Sequence, residues 1–364
     1  MENLQNLRIA LKKRFLERDE VVDGMLVALL SRQHAFLLGP PGTAKSQMVS
    51  SLCSCISGAR YFQWLLTKFT TPEELFGPYS LTQLEKGKYL RIIDNKLPSS
   101  HICFLDEVFK ASSAILNTLL TLMQERIFFN DNQPVQIPLI SLFGAANELP
   151  QGEELAALYD RFLLRFQVGY LGEDSSFISL LKLSVNSLPT ISLQELENYQ
   201  NQAAFLPISD TILESILKVR RDLFKEGIIA SDRRWKQSLD VLKAYAFLEG
   251  KNEVDEESLM FLCHVLWSHP EQKKTILKIV GSVAAPWDAR AIELYDIAKE
   301  IYDNAINAED KEQVGIEANK KLKKLLDELA DLEAKHSTEK IKDINAKVQV
   351  FQKEIIKKCL GIEL

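Results

Sequence analysis

Apolar residues change their spacing several times along this chain, and each change marks a different kind of element. Between positions 20 and 33 they recur at helical intervals (Val22, Met25, Leu26, Leu29, Leu30), and then Ala35-Phe36-Leu37-Leu38 forms a continuous run that stops at Gly39. The first pattern predicts a helix and the second a strand buried on both faces. Two more such runs follow, Ile102-Cys103-Phe104-Leu105 ending at Asp106-Glu107, and 139–146 ending at Asn147. Helix-like stretches at 46–57 and 112–125 lie between them, so strands and helices alternate. That alternation predicts an α/β fold, a parallel sheet with helices on both faces, whose sites sit at the carboxyl ends of the strands. Two hairpins are expected to project from it, one over 79–93 turning near Lys86-Gly87-Lys88 and one over 127–137 turning near Asn130-Asp131-Asn132. From about Ser209 onward only helical periodicity remains, with Ile212, Ile216, Val219 and Leu223 on one face and Leu239, Leu242 and Ala246 on another. Near the end, Leu322, Leu325, Leu329 and Leu332 are followed, after a break at His336-Ser337-Thr338, by Ile341, Ile344, Val348, Phe351 and Ile355. Two heptads on each side predict a helical hairpin packed on another element rather than a long coiled coil.

Composition narrows the class. Of 364 residues, 46% are hydrophobic and 26% charged, the proportions of a folded protein with a substantial core. Lys and Arg number 44 against 50 Asp and Glu, a formal charge of -6, which argues against a nucleic-acid motor. No run of about 18 apolar residues is present and the first 20 residues are charged throughout, so a cytoplasmic protein is expected. The five cysteines have no CxxC spacing and read as reduced packing residues. The five histidines form no ligand pattern, and no protein-bound transition metal is assigned.

Candidate chemistry lies at the strand ends. Gly39-Pro40-Pro41-Gly42-Thr43-Ala44-Lys45-Ser46 follows the first strand and opens a helix, the setting of a phosphate-binding loop. Its backbone N–H groups would cradle the phosphates of ATP, Lys45 would reach the terminal ones, and the Ser46 hydroxyl would ligate Mg²⁺. Ala44 stands where the consensus has glycine, which asks for a backbone conformation tolerating a Cβ. Asp106 is expected to help hold the metal and Glu107 to act as general base on water. Asn147, at a neighbouring strand tip, would orient the same water.

The ordered segments GPPGTAKS, FLDE, GAANE, ALYDRF and SDRRW resemble the AAA+ ATPases of the MoxR family, and with Thr71 to Pro78 they look closest to its RavA branch. The resemblance implies an AAA+ phosphate-loop core over 1–207, an α-helical lid over 208–285 and a C-terminal helical extension over 286–364. It also implies a homo-oligomer, a hexameric ring with ATP between subunits. Arg161 matches the arginine finger acting in trans, with Arg165 its competitor; Arg233 matches the sensor-2 arginine that touches the γ-phosphate, with Arg234 its competitor. The two hairpins match pore inserts that contact clients. A chaperone-like ATPase is implied, working with a von Willebrand factor A (VWA) domain partner on a protein client. A nucleotide-controlled assembly scaffold is the rival reading. The small β-domain that RavA proteins carry in the C-terminal region has no counterpart among the helices expected here, so its partner contact does not transfer.

Overall fold

The computed structural model describes residues 1–183, 187–307, 311–336 and 338–360. Five parallel strands form the central sheet: β1 (Ala35–Leu38), β2 (Tyr61–Leu65), β3 (Ile102–Asp106), β4 (Ser141–Ala146) and β5 (Leu164–Gln167), in the order β2-β3-β4-β1-β5. Strands β1 and β4 are buried at every position, which is why they read as unbroken apolar runs. Strands β2 and β5 escape the sequence pattern for physical reasons. Strand β2 is an edge with only Phe62 fully buried, and β5 carries Arg165 in its interior, which reads as a polar interruption.

Leu38 pairs with Ala146 on one side and Gln167 on the other, so the chain leaving β1 emerges between the ends of β4 and β5. Helices α1 (Glu2–Arg14) and α2 (Asp19–Leu30) precede the sheet, and α3 (Lys45–Ser54) continues from β1. Helix α4 (Ser113–Glu125) follows β3, α5 (Glu153–Arg161) follows β4, and α6 (Asp232–Leu248) lies after β5. Residues 2–14 and 19–30 bury Leu4, Leu7, Leu11 and all of Val21 to Leu30, giving the sheet a hydrophobic cover.

The 127–137 insert is an antiparallel hairpin, Ile127–Asn130 with Gln133–Gln136, closed by Asp131 and Asn132 at φ 54° and 61°. Positive φ at both central residues is the type I′ turn that Asn and Asp accommodate. The 79–93 insert differs from expectation: it has a short helix, Leu81–Leu84, and a single bridge between Tyr79 and Arg91. It is pinned to the hairpin, since Tyr89 N donates to Asp131 Oδ1 at 2.9 Å and Arg91 N to Asn130 Oδ1 at 2.7 Å.

The chain divides into two compact units, Met1–Leu213 with Gly227–Lys273, and Glu214–Glu226 with Lys274–Leu364. These do not coincide with the segments 1–207, 208–285 and 286–364: residues 227–273 pack with the first unit. In the second unit the two terminal helices, Lys311–Lys335 and Glu339–Leu360, pack on a third, Pro286–Ile306, through Ala291, Leu294, Leu322, Leu329, Ile341, Val348 and Ile355. That third helix supplies the apolar face the hairpin required. Of the predicted break, Ser337 lies outside the described residues. All five cysteines are buried free thiols, and burial pushes Cys53 and Cys263 up to about 12, away from thiolate chemistry. Among the described residues no helix is long and apolar enough to cross a membrane.

Candidate functional site

The loop after β1 is shaped by three residues. Gly39 N donates to Ala146 O at 3.1 Å, and a Cβ on Gly39 would stand 2.0 Å from Val168 O, so only glycine fits between the two strands. Gly42 turns with φ +79°. Ala44, at the N-cap of α3, takes φ 64° and ψ 20°, a left-handed conformation that costs a residue with a Cβ roughly 1 kcal/mol. The loop thus holds a strained left-handed residue at the mouth of α3, the kind of conformation that collects at ligand-binding loops. Lys45 Nζ donates to Gly39 O at 2.6 Å and Pro40 O at 2.8 Å, and Thr43 Oγ1 donates to Pro40 O at 2.9 Å. Burial lowers the Lys45 pKa, while the nearby Asp106 and Glu107 carboxylates oppose the shift and favour the ammonium. Ser46 follows in the first turn of α3.

Asp106 ends β3, and its Oδ1 accepts a hydrogen bond from Glu107 N at 3.0 Å. Glu107 is itself left-handed (φ 51°, ψ 45°), which turns its side chain out of the strand direction. Its Oε1 accepts from Asn147 Nδ2 at 2.7 Å, and Lys110 Nζ lies 3.3 Å from Oε2. The structure therefore brings Asp106, Glu107 and Asn147 together at adjacent strand tips. Asn147 is bonded to the carboxylate itself.

Beside the loop, a cavity of about 890 Å³ is walled by Phe15, Leu16, Gln47, Tyr170, Phe177 and Leu180. Tyr170 OH donates to Pro41 O at 3.2 Å, and Glu17 accepts from Gly172 N at 2.7 Å and Glu173 N at 3.0 Å, which fastens the 170s to the end of α1. Its aromatic and aliphatic lining suits a flat heterocycle. No local pattern announces this wall, because its halves are some 155 positions apart in the chain.

The four candidate arginines separate into two kinds. Arg165 and Arg234 are 2% and 3% exposed. Arg165 donates to the carbonyls of Phe162, Tyr159 and Trp267, with its guanidinium 3.7 Å over the Tyr159 ring. Arg234 donates to Leu163 O and Val265 O, both at 2.7 Å, and to Phe162 O and Asp160 O, both at 3.0 Å. Burial pushes the Arg165 pKa down to about 9. Both arginines hold residues 227–273 against β5 and have no face for a ligand. Arg161 and Arg233 are half-buried and share one acceptor, Gln124 Oε1, at 3.1 and 3.3 Å; Arg233 also pairs with Asp160 Oδ2 at 2.5 Å. They line the same cavity as Gln33 and His34, which immediately precede β1, whereas the phosphate loop follows β1. At about 3.3 Å per residue the two groups stand roughly 15 Å apart along the strand. The structure thus places Arg233 with Arg161 and not at the phosphate loop of its own chain. Gln124 and Asp160, which align the pair, had no signal in the sequence beyond their place in the last turns of α4 and α5.

Residues 2–190 match the family model described as the MoxR domain in the MoxR-vWA-beta-propeller ternary systems, and residues 211–280 match an AAA lid domain. An uncharacterised protein of Methanocaldococcus jannaschii is 37% identical over 369 residues, spanning 97% of this chain and 98% of that one. The chaperone MoxR1 of Mycobacterium tuberculosis is 27% identical over 47% of this chain and 45% of its own. The crystal structure of a candidate ATPase from Cytophaga hutchinsonii shares the fold, with a TM-score of 0.63 at 18% identity over 78% of this chain and 93% of that one. With its parallel sheet, phosphate loop, carboxylate-tipped β3 and helical lid segment, the chain belongs to the MoxR family of AAA+ ATPases.

Proposed function

We propose that this chain hydrolyses ATP in a homo-oligomeric ring, hexameric by its resemblance to the family, and uses the cycle to remodel a protein client. The observation that carries this reading is the separation of the two halves of the site: loop and carboxylates lie beyond the end of β1, while Arg161 and Arg233 lie before its start. A nucleotide held by one chain meets Arg161 and Arg233 only from a second copy.

Within that arrangement each residue has a task. Lys45 exchanges its bonds to Gly39 O and Pro40 O for phosphate oxygens. Glu107, steadied by Asn147, accepts a proton from the water whose oxygen attacks the terminal phosphorus, and ADP leaves along the same line. Asp106 and the Ser46 hydroxyl are the protein donors on offer to a metal, which suits Mg²⁺, an ion that keeps several waters and phosphate oxygens around it. Bound there, Mg²⁺ would neutralise charge on the phosphate oxygens. The neighbour's Arg161 and Arg233 would stabilise the charge that builds on the transferring group. Residues 1–207 serve as the nucleotide core and 208–285 as the lid. The 79–93 and 127–137 inserts offer exposed Tyr89 and Phe129 to a client.

The description of the matching family model supports a VWA-domain partner, and the likeness to the tuberculosis chaperone MoxR1 supports chaperone work. The stretch from Thr71 to Pro78 supports kinship with the RavA branch. ATP turnover per subunit, measured while the protein is diluted through its assembly range and repeated with Glu107→Gln, tests the reading. Turnover that falls on dilution and vanishes in the variant is expected. Constant turnover per subunit, or a variant as active as the parent, overturns it.

A further inference from the structure

The cavity before β1 has about 210 Å³ of space, and its lining holds four arginines, Arg32, Arg126, Arg161 and Arg233, against which one carboxylate, Asp160, pairs with Arg233 from outside the lining. Like charges this close raise one another's energy, and partial burial removes the water that would screen them. Arg126 shows the cost: burial, with Arg32 nearby, pushes its pKa down to about 10. Nor does His34 supply a counter-charge. It is buried, with Nε2 on Met123 O at 3.0 Å and Nδ1 accepting from Leu142 N at 2.9 Å, and burial keeps the ring neutral.

Hydrogen bonding in the cavity is also incomplete. Arg126 Nη2 donates to Arg32 O at 2.7 Å and Ile140 O at 3.3 Å, but its Nη1 is buried with no partner; Arg161 Nε is in the same condition. Buried guanidinium nitrogens without acceptors cost free energy that a folded chain normally avoids. Arg126 and Arg161, the two residues with an unfilled donor, both line a cavity in which arginines outnumber the one nearby carboxylate, a lining that suits a compact oxyanion with several acceptor oxygens. Arg126 is the C-cap of α4, and Gln124, two residues earlier in its last turn, already bonds to Arg161 and Arg233, so the three guanidinium groups are set by one turn of chain.

We propose that Arg126 completes, with Arg161 and Arg233, a three-arginine oxyanion site that receives the phosphates of the nucleotide held in the phosphate loop of a second copy of this chain. This rests on the shared-site reading above and adds a residue that the motif comparison did not single out. Because the site acts across an interface, loss of Arg126 is repairable by a neighbour. Subunits carrying Arg126→Gln keep an intact phosphate loop, and subunits carrying Lys45→Ala keep intact arginines.

The test is ATP turnover of each variant alone and of the two mixed in equal amounts and reassembled. Arg126→Gln alone is expected to lose about tenfold or more of the turnover. Mixing should restore activity toward about a quarter of the wild-type value, since in a head-to-tail ring a quarter of random junctions pair an intact loop with intact arginines. No recovery in the mixture would assign Arg126 to its own chain's folding and overturn the proposal, as would full activity of Arg126→Gln alone. Should Arg126→Gln fail to fold, Arg126→Met, which keeps the buried stem, carries the same comparison. A parallel mixture of Arg161→Ala with Lys45→Ala separates the two ideas. Recovery there but not with Arg126 sinks only the added residue, and recovery in neither sinks the shared site.

Discussion

Arg161 and Arg165 are one helical turn's spacing apart in sequence, and Arg233 and Arg234 are adjacent, yet one member of each pair is half-buried and the other is among the most deeply buried polar side chains of the described residues. The buried pair saturates its donors on the carbonyls of Tyr159, Phe162, Leu163, Val265 and Trp267. The half-buried pair makes fewer bonds, Arg161 to Ala157 O, Arg233 to Asp160 and both to Gln124 Oε1, and keeps donors in reserve. Saturation suits a structural tie and reserve suits a ligand, so the same side-chain chemistry serves two ends within a few ångströms. The contrast also bears on the lid: residues 227–273 are fastened to β5 by Arg165 and Arg234, and His264 sits in the same seam between Phe166 and Phe261.

Three substitutions break or sharpen that contrast. Arg161→Ala is expected to cost about 10³-fold in ATP turnover while moving the thermal midpoint little, because a transition-state charge is lost and the bonds given up, to Ala157 O and Gln124, are few and partly solvated. Steady-state kinetics and a melting curve check it; a large drop in midpoint would place Arg161 with the structural pair. Arg234→Ala should show the opposite balance. It takes one of two guanidinium partners from Asp160 and leaves several buried carbonyls unpaired at once, and urea unfolding should record a loss of about 3 kcal/mol. A stable Arg234→Ala protein with reduced turnover would exchange the roles of the adjacent arginines.

The smallest effect concerns pH. Burial, with Lys273 nearby, pushes His264 from 6.5 to about 3, so the unfolded chain binds a proton that the folded one refuses. A folded pKa below the unfolded one gives stability that is complete above pH 6.5 and declines as pH falls toward 3. Between pH 8 and pH 5 that decline amounts to roughly 2 kcal/mol from this one group. His264→Leu should flatten the acid limb of a stability-against-pH curve, and an unchanged slope would mean that the ring is already protonated in the fold.

Much of the nucleotide end was legible in the sequence, since a strand, a Gly-rich turn and a helix follow one another within some 20 residues from Ala35. Strands β1, β3 and β4 announced themselves by uniform burial, and their polar tips are the candidate groups at that end. The arginine end was legible only as pairs. What the residue order near Arg161 or Arg233 does not contain is the position of Trp267 and Val265, about 100 and 30 residues away, whose carbonyls select the buried partner. The wall of the cavity beside the loop, from Phe15 to Phe177, was hidden for the same reason.

The sequence by itself determined the elements whose causes are local: the phosphate loop with its strained Ala44, the carboxylates at the end of β3, the alternation that makes a parallel sheet, and the helices after it. Only the tertiary structure decided which arginines stay free, where they stand relative to the loop, and that Gln124 and Arg126 join them. Hydrogen-bond saturation and burial are properties of groups brought together from distant parts of the chain, and no spacing along it encodes them.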